Sequence, residues 1–246
     1  MSQNKKAFIA GASGVIGKPL CAMLIQDGWK VYGTTRSKNK VELLKQMGVE
    51  PILVDVYDYD TLEKVLCDIK PDVLYHQLTD LPDGLNPEKM EEALVSNAKL
   101  RIEGTSNLVK ASKQAGIKKM IAQSIAFVYE PGELPHTEES ALLNFEDPVY
   151  GTTSKAVASL EEQVLNAPFI GIILRNGLFY GPETGFDEPV SFVPSVHVEA
   201  AAHAAILALE CNTNCVYNVA DEDERLSSEK IKHELKWNSD FRLSLH

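Results

Sequence analysis

The chain has 246 residues, of which 44% are hydrophobic, and it carries a formal net charge of −11. This length suits one α/β domain, alone or with a small appendage. The acidic balance disfavours non-specific binding to nucleic acid. The sequence also lacks the stretch of about 20 apolar residues that a membrane-spanning helix needs. We therefore expect no nucleic-acid or membrane partner.

The cysteines and histidines show no spacing typical of a metal site. The four cysteines, Cys21, Cys67, Cys211 and Cys215, include no C-x-x-C pair, and the histidines include no H-x-x-x-H pair. The acidic run at 221–224 is typical of a solvated loop. We interpret the cysteines as free thiols in a reducing, cytoplasmic compartment and expect no bound metal.

Apolar strand segments alternate with helical segments along the first two thirds of the chain. Strands are predicted at residues 7–10, 29–35, 51–54, 72–77, 119–124, 169–175 and 216–219. Helices are predicted from about residue 15 and at residues 41–47, 62–69, 88–115, 152–165, 199–210 and 227–235. This order predicts an α/β fold, a Rossmann-type doubly wound parallel sheet covered on both faces. We expect a core over 1–175 and a small, dependent C-terminal lobe on the substrate side over 176–246.

A glycine-rich turn follows the first predicted strand and opens the first helix. Its glycines have the spacing G-x-x-G-x-x-G, which suits a tight turn, a close approach to a pyrophosphate and close packing of the new helix. The free amides at the start of a helix attract phosphate groups. The predicted dinucleotide-binding residues of this turn are Gly11, Ala12, Ser13, Gly14, Val15, Ile16 and Gly17.

The end of the second strand indicates which dinucleotide binds. An acidic residue there favours NAD, whereas a basic residue favours the 2′-phosphate of NADP. Arg36 and Ser37 occupy this place without a carboxylate, so we favour NADP, with NAD as the alternative. Arg36 could instead begin a solvated helix. Asp55, with Val56, could contact the adenine edge or cap a helix, and the segment Gln77, Leu78 and Thr79 is predicted to line the pyrophosphate and ribose.

Several motifs together resemble the short-chain dehydrogenase/reductase superfamily, in its extended or atypical form, and specifically proteins of the NAD-dependent epimerase/dehydratase type. The glycine turn at 11–17 is the first of them. The others are G-T-S-N-L-V at 104–109, the serine segment at 123–129, L-R-N-G-L-F-Y-G-P at 174–182 and H-V-E-A-A-A at 197–202. The resemblance implies an NAD(P)-binding oxidoreductase or epimerase acting on a small carbonyl, hydroxyl or nucleotide-sugar substrate. It also implies dimerisation through the long helix at 88–115 and the helix after Tyr150.

The resemblance further implies a catalytic serine, tyrosine and lysine, with the lysine four residues after the tyrosine. Ser124, Tyr150 and Lys155 are the candidates, but Lys155 lies five residues after Tyr150, and Gly151 occupies the tyrosine position. Three interpretations stay open. Tyr150 reaches the site from a nonhelical turn, another tyrosine such as Tyr129 or Tyr180 replaces it, or the proton-transfer tyrosine is absent.

Two other departures from the family pattern accompany this one. Arg101 stands where the family has an asparagine in its long helix, and Asn97 lies one turn earlier. Only a short segment separates Gly181-Pro182 from Ser195-Val196, where extended members carry a longer substrate-binding segment. These departures keep open the alternative of a non-catalytic NADP(H)-binding sensor or regulatory protein.

Overall fold

The computed structural model describes residues 5–82 and 85–243. Its main sheet has seven strands in the order β3-β2-β1-β4-β5-β6-β9, and every neighbouring pair is parallel. These strands are β1 (Lys6–Ala10), β2 (Lys30–Thr35), β3 (Glu50–Leu53), β4 (Val73–His76), β5 (Lys119–Ile125), β6 (Ile170–Asn176) and β9 (Cys215–Val219). The strand order reverses between β1 and β4, which places a ligand crevice at the carboxyl ends of those strands. The predicted Rossmann-type α/β fold is confirmed.

Helices cover both faces of the sheet. They are α1 (Gly17–Gln26), α2 (Val41–Gln46), α3 (Tyr59–Ile69), α4 (Met90–Lys99), α5 (Thr105–Ala115), α6 (Gly151–Leu165), α7 (Val198–Leu207) and α8 (Glu229–Leu235). Alternate residues of β1 belong to different cores, because successive side chains of a strand point to opposite faces. Ile9 joins the core under α1 and α7, whereas Phe8 joins the core under α3, α5 and α6. No helix in the described ranges is long and apolar enough to cross a membrane.

The helix predicted at 88–115 forms, but its centre departs from regular α-helical geometry. A 3₁₀ turn at Pro87–Lys89 leads into α4, and a π-helical segment, Leu100–Gly104, joins α4 to α5. Gly116 ends α5 with a φ of 71°, in the left-handed conformation that favours glycine. Short π segments are frequent at functional sites, and this one carries Arg101.

The C-terminal segment contributes a strand to the main sheet. Strand β9 pairs with β6, so the sheet extends across the predicted division at residue 175. Two short strands that the sequence pattern did not reveal, β7 (Leu178–Tyr180) and β8 (Ser195–His197), pair with each other in a separate small sheet. Strand β7 follows directly after β6, and its residues Leu178 and Phe179 line the crevice.

Candidate functional site

A cleft of about 430 Å³ opens at the carboxyl ends of the strands. Most of the predicted dinucleotide-binding residues line it, namely Gly11, Ser13, Gly14, Val15, Ile16, Arg36, Ser37, Asp55, Val56, Gln77, Leu78 and Thr79. Ala12 and Gly17 lie behind the turn instead, where Ala12 is fully buried against the sheet. The structure therefore gathers residues from four separate strand ends at one cavity.

Close backbone packing explains two of the glycines in the turn. Gly11 has a φ of 98°, and a Cβ atom there would lie 2.6 Å from the carbonyl oxygen of Gln77. At Gly17, a Cβ atom would collide with the carbonyl oxygen of Gly11. Both glycines let the turn fold back tightly on itself and on β4. At Gly14 the nearest atom is the Gly11 carbonyl oxygen at 3.3 Å, which leaves the cleft side of this residue open.

The turn also leaves polar groups available to a ligand. The amide of Gly14 donates to the Gly11 carbonyl, whereas the amides of Val15 and Ile16 make no backbone hydrogen bond within the described ranges. The buried Oε1 atom of Gln77 likewise has no hydrogen-bond partner among the described residues. Free amides at a helix start and an orphaned acceptor in the cleft wall fit the diphosphate and hydroxyl groups of a dinucleotide.

The ends of β2 and β3 form what we call the β2–β3 half of the cleft, lined by Arg36, Ser37, Lys40, Asp55 and Val56. The Arg36 guanidinium pairs with the carboxylate of Asp80 across the opening, and the Arg36 side chain is 60% exposed. Asp55 accepts a hydrogen bond from the amide of Tyr57 at 3.0 Å, so it shapes the turn after β3 while lining the cleft. Two cationic side chains, those of Arg36 and Lys40, therefore lie in the β2–β3 half of the cleft.

The end of β4 is shaped by a buried histidine. Nε2 of His76 lies 2.9 Å from the Thr105 hydroxyl, and its Nδ1 accepts from the Leu78 amide at 3.4 Å. Burial, and then the charge of Arg101, lower the pKa of His76 to about 4. A neutral imidazole with its proton on Nε2 satisfies both contacts. His76 therefore fixes the direction in which the segment at 77–79 leaves the strand.

Strand alternation turns Ser124 away from the cleft. Its neighbours Gln123 and Ile125 line the cavity, whereas Ser124 is 1% exposed and its hydroxyl donates to Glu161 on α6 at 2.7 Å. Glu161 also receives two hydrogen bonds from Arg175, at 3.0 and 2.7 Å. The predicted catalytic serine thus belongs to a buried ion-pair network between α6, β5 and β6.

The same network holds Tyr129, one of the alternative tyrosines. Arg175 donates to the Tyr129 hydroxyl at 2.9 Å, and that hydroxyl donates to Asn218 at 2.5 Å. Burial lowers the pKa of Arg175, but the hydrogen bonds and charge of Glu161 outweigh it and hold the pKa above its ordinary value. Tyr180, the other alternative, donates to Asp221 at 2.8 Å in the C-terminal lobe. Neither tyrosine lines the cleft.

Tyr150 and Lys155 also lie away from the cleft. Tyr150 caps the start of α6 and is 55% exposed, and Lys155 is exposed one turn further along. A Cβ atom at Gly151 would collide with the carbonyl oxygen of Phe145, because the loop before α6 packs directly on this glycine. The structure therefore does not bring Ser124, Tyr150 and Lys155 together, and no tyrosine fits at the position where the family pattern expects one.

The residue that sequence reasoning undervalued is Arg101. It lies in the π segment and is one of the residues that line the cleft, and its charge acts on His76 and Glu161. We call the lining formed by Arg101, Gln123, Ile125, Phe127, Leu178 and Phe179 the β5 half of the cleft. The sequence did signal this residue, because Arg101 replaces the asparagine of the family pattern. The direction of the Arg101 side chain, however, depends on the π segment.

A parallel doubly wound sheet with a glycine turn at its switch point defines the class of NAD(P)-binding Rossmann enzymes. The sequence profile of the NAD dependent epimerase/dehydratase family matches residues 7–214. The chain is also 30% identical to a 3-diazoavenalumate denitrifying reductase of Streptomyces sp, over 93% of this chain and 80% of that protein. The chain belongs to the NAD dependent epimerase/dehydratase family and is an NAD(P)-binding oxidoreductase or epimerase-type enzyme.

Solved structures agree with the fold. The UDP-glucose 4-epimerase of Thermotoga maritima, determined with UDP-glucose, matches with a TM-score of 0.77 and 18% identity, over 96% of this chain and 94% of that chain. The Bordetella bronchiseptica enzyme WbmG, determined with NAD, matches with a TM-score of 0.77 and 17% identity, over 98% and 91% of the two chains. At this identity the likeness establishes the shared architecture.

Proposed function

We propose that this chain is an NADP(H)-dependent reductase of a small organic substrate, working without a catalytic tyrosine. The observation that carries the proposal is the continuity of one cleft. It runs from the cations Arg36 and Lys40 after β2, past the glycine turn after β1, to the largely apolar lining of the β5 half. The similarity to a protein named as a reductase of 3-diazoavenalumate supports the choice of a reductase.

In this proposal each part of the cleft has one task. The amides of Val15 and Ile16 bind the diphosphate, and Arg36 with Lys40 binds the 2′-phosphate. Ile125 and Phe127 exclude water from the β5 half. When bound, NADPH would supply a hydride to a carbonyl carbon of the substrate, and water would supply the proton that the carbonyl oxygen takes up.

An epimerase reaction on a nucleotide sugar fits this cleft less well. It needs a group that removes a proton from a sugar hydroxyl and returns it, which the family assigns to the tyrosine. Here Gly151 is packed under the Phe145 carbonyl, and a short segment spans the residues between β7 and β8. A small substrate suits the site better than a nucleotide sugar.

The experiment that tests the reaction measures NADPH oxidation by its absorbance with a panel of small carbonyl compounds and aromatic acids. UDP-glucose epimerisation is measured in parallel. We expect NADPH consumption with at least one panel member, and none from the Gly14→Val variant, in which the new side chain fills the phosphate cradle. Epimerisation of UDP-glucose by the wild type, without reductase activity, would overturn the proposal.

The preference for NADP is tested at Arg36 and at its partner Asp80. Because Asp80 competes with a phosphate for the Arg36 guanidinium, Arg36→Ala and Asp80→Asn are expected to shift the affinity for NADPH in opposite directions. Arg36→Ala should weaken NADPH binding about tenfold and Asp80→Asn should strengthen it a few-fold, with NADH binding little changed. Fluorescence titration measures both affinities. Lys38→Ala, an exposed cation outside the cleft, is the matched control, and equal losses for NADPH and NADH in Arg36→Ala would contradict the assignment.

A cytoplasmic location and a homodimer built on the helical segment at 88–115 and on α6 stay predictions for this protein. Exposed apolar side chains at Val95, 67% exposed, and at Ile102 are compatible with such a dimer.

A further inference from the structure

Arg101 is a buried cation whose guanidinium has no partner in the described ranges. Its residue is 6% exposed, and no hydrogen bond contributes to its pKa, which burial lowers to about 10 against the opposing charge of Glu161. Buried charges in proteins are normally paired, because leaving water costs them several kcal/mol. An unpaired guanidinium in a cleft wall therefore indicates a missing anion.

The neighbouring groups do not supply that anion. The charge of Glu161 acts on Arg101 and raises its pKa, but the two oxygens of Glu161 already accept hydrogen bonds from Ser124 and Arg175. Arg101, Arg175 and Glu161 together leave one positive charge uncompensated. His76 supplies no anion either, because burial, and then the charge of Arg101, lower its pKa to about 4 and keep the imidazole neutral. Because Arg101 is a lining residue, this excess charge lies at the wall of the cleft.

The rest of the β5 half restricts what the anion is attached to. Ile125, Phe127, Leu178 and Phe179 are apolar, and Gln123 is polar. After β7 the lining of the cleft continues with Thr184 and with Glu183, whose carboxylate pairs with Lys18. A flat apolar body with one anionic end matches such a surface, and a carboxylate matches the two-pronged geometry of a guanidinium. We propose that Arg101 binds the carboxylate of a small aromatic or conjugated acid, which is the substrate class of this cleft.

This inference rests on the proposed reductase function only in that it calls the bound acid a substrate. The binding of a carboxylate can be measured without turnover. Calorimetric titration of the NADP⁺-loaded protein with trans-cinnamate, and with the neutral cinnamamide, supplies the direct test. We expect cinnamate to bind at least about tenfold more tightly than the amide. In Arg101→Met the affinity for cinnamate should fall to that for the amide, and Arg101→Lys should keep part of it.

Thermal unfolding separates ligand binding from a structural role. Since an unpaired buried charge costs free energy, unliganded Arg101→Met should melt at or above the wild-type temperature. Lys99→Met, which removes an exposed cation from the same helix, is the matched control and should change neither measurement. A lower melting temperature of Arg101→Met with unchanged cinnamate affinity would make Arg101 a structural residue and overturn the inference. Failure of the wild type to bind cinnamate would also overturn it.

The cofactor is the other source of an anion, and NADPH titration distinguishes it. We expect Arg101→Met to change NADPH affinity by less than about twofold. A tenfold weakening of NADPH binding, with cinnamate binding intact, would assign the cofactor phosphate to Arg101 instead. If the wild type binds no NADPH, the reductase proposal fails, while titration of the unloaded protein with cinnamate still reports on Arg101.

Discussion

The two halves of the cleft relate to the sequence in different ways. In the β2–β3 half, residues predicted from the chain order, such as Arg36 and Asp55, line the cavity together. In the β5 half, the predicted Ser124, Tyr150 and Lys155 lie outside the cavity, and Arg101 enters it. The first half is built from strand ends and backbone turns. The second half depends on the direction in which individual side chains point.

The largest effect is expected at Glu161, which accepts the hydrogen bond of the Ser124 hydroxyl. Glu161→Ala should lower the free energy of unfolding by about 3–5 kcal/mol, because it leaves the buried Arg175 guanidinium without its partner. Urea denaturation measures the change. Glu162→Ala, which truncates the exposed neighbouring residue, is the control and should stay within about 0.5 kcal/mol of the wild type. Equal losses in the two variants would show that the network around Ser124 is not a structural element.

The outcome at Ser124 shows why the sequence could predict one half better than the other. The spacing of Gly11, Gly14 and Gly17 demands a particular backbone, so the motif implies its own geometry. A serine in β5 has no such signal, because a shift of one residue in a strand reverses the face to which the side chain points. Ser124 and Ile125 are adjacent, and only the register of β5 determines which of them faces the cleft.

On the helices beside the β5 half, too, the register determines the direction in which a side chain points. One residue in a helix turns a side chain by about 100°, so the register at the start of α6 decides whether Tyr150 is near the cleft. The π segment at Leu100–Gly104 adds a residue to one turn and changes the direction of Arg101. Neither feature follows from hydrophobic spacing alone. The fold therefore follows from local patterns, whereas the chemistry of the β5 half depends on how the folded chain orients its side chains.

An intermediate effect is expected at His76, which stands between the two halves. Its pKa in the folded chain, about 4, is below the usual value near 6.5, so the unfolded chain binds the proton more tightly. The stabilisation is fully present above pH 6.5 and is lost as the pH falls towards 4. The loss should be on the order of 3 kcal/mol, measured by urea denaturation at successive pH values.

The His76→Gln variant should lose much of this pH dependence, since its side chain does not titrate. His233→Gln, which replaces an exposed histidine on α8, is the matched control and should retain the wild-type slope. A wild-type slope in His76→Gln would mean that other groups cause the acid sensitivity.

The smallest effect is expected at Tyr150, where it tests whether the β5 half works without the tyrosine of the family pattern. Tyr150→Phe should change kcat/KM for NADPH-dependent reduction by less than about twofold, because the exposed hydroxyl lies outside the cleft. Loss of a proton donor typically lowers a rate about 10²- to 10⁴-fold. A loss of that size in Tyr150→Phe would mean that the loop packed on Gly151 moves during turnover and brings the tyrosine to the substrate. Lys155→Ala separates the two cases further, since a tyrosine that acts in the family's manner requires the lysine, whereas an exposed lysine outside the cleft does not affect the rate.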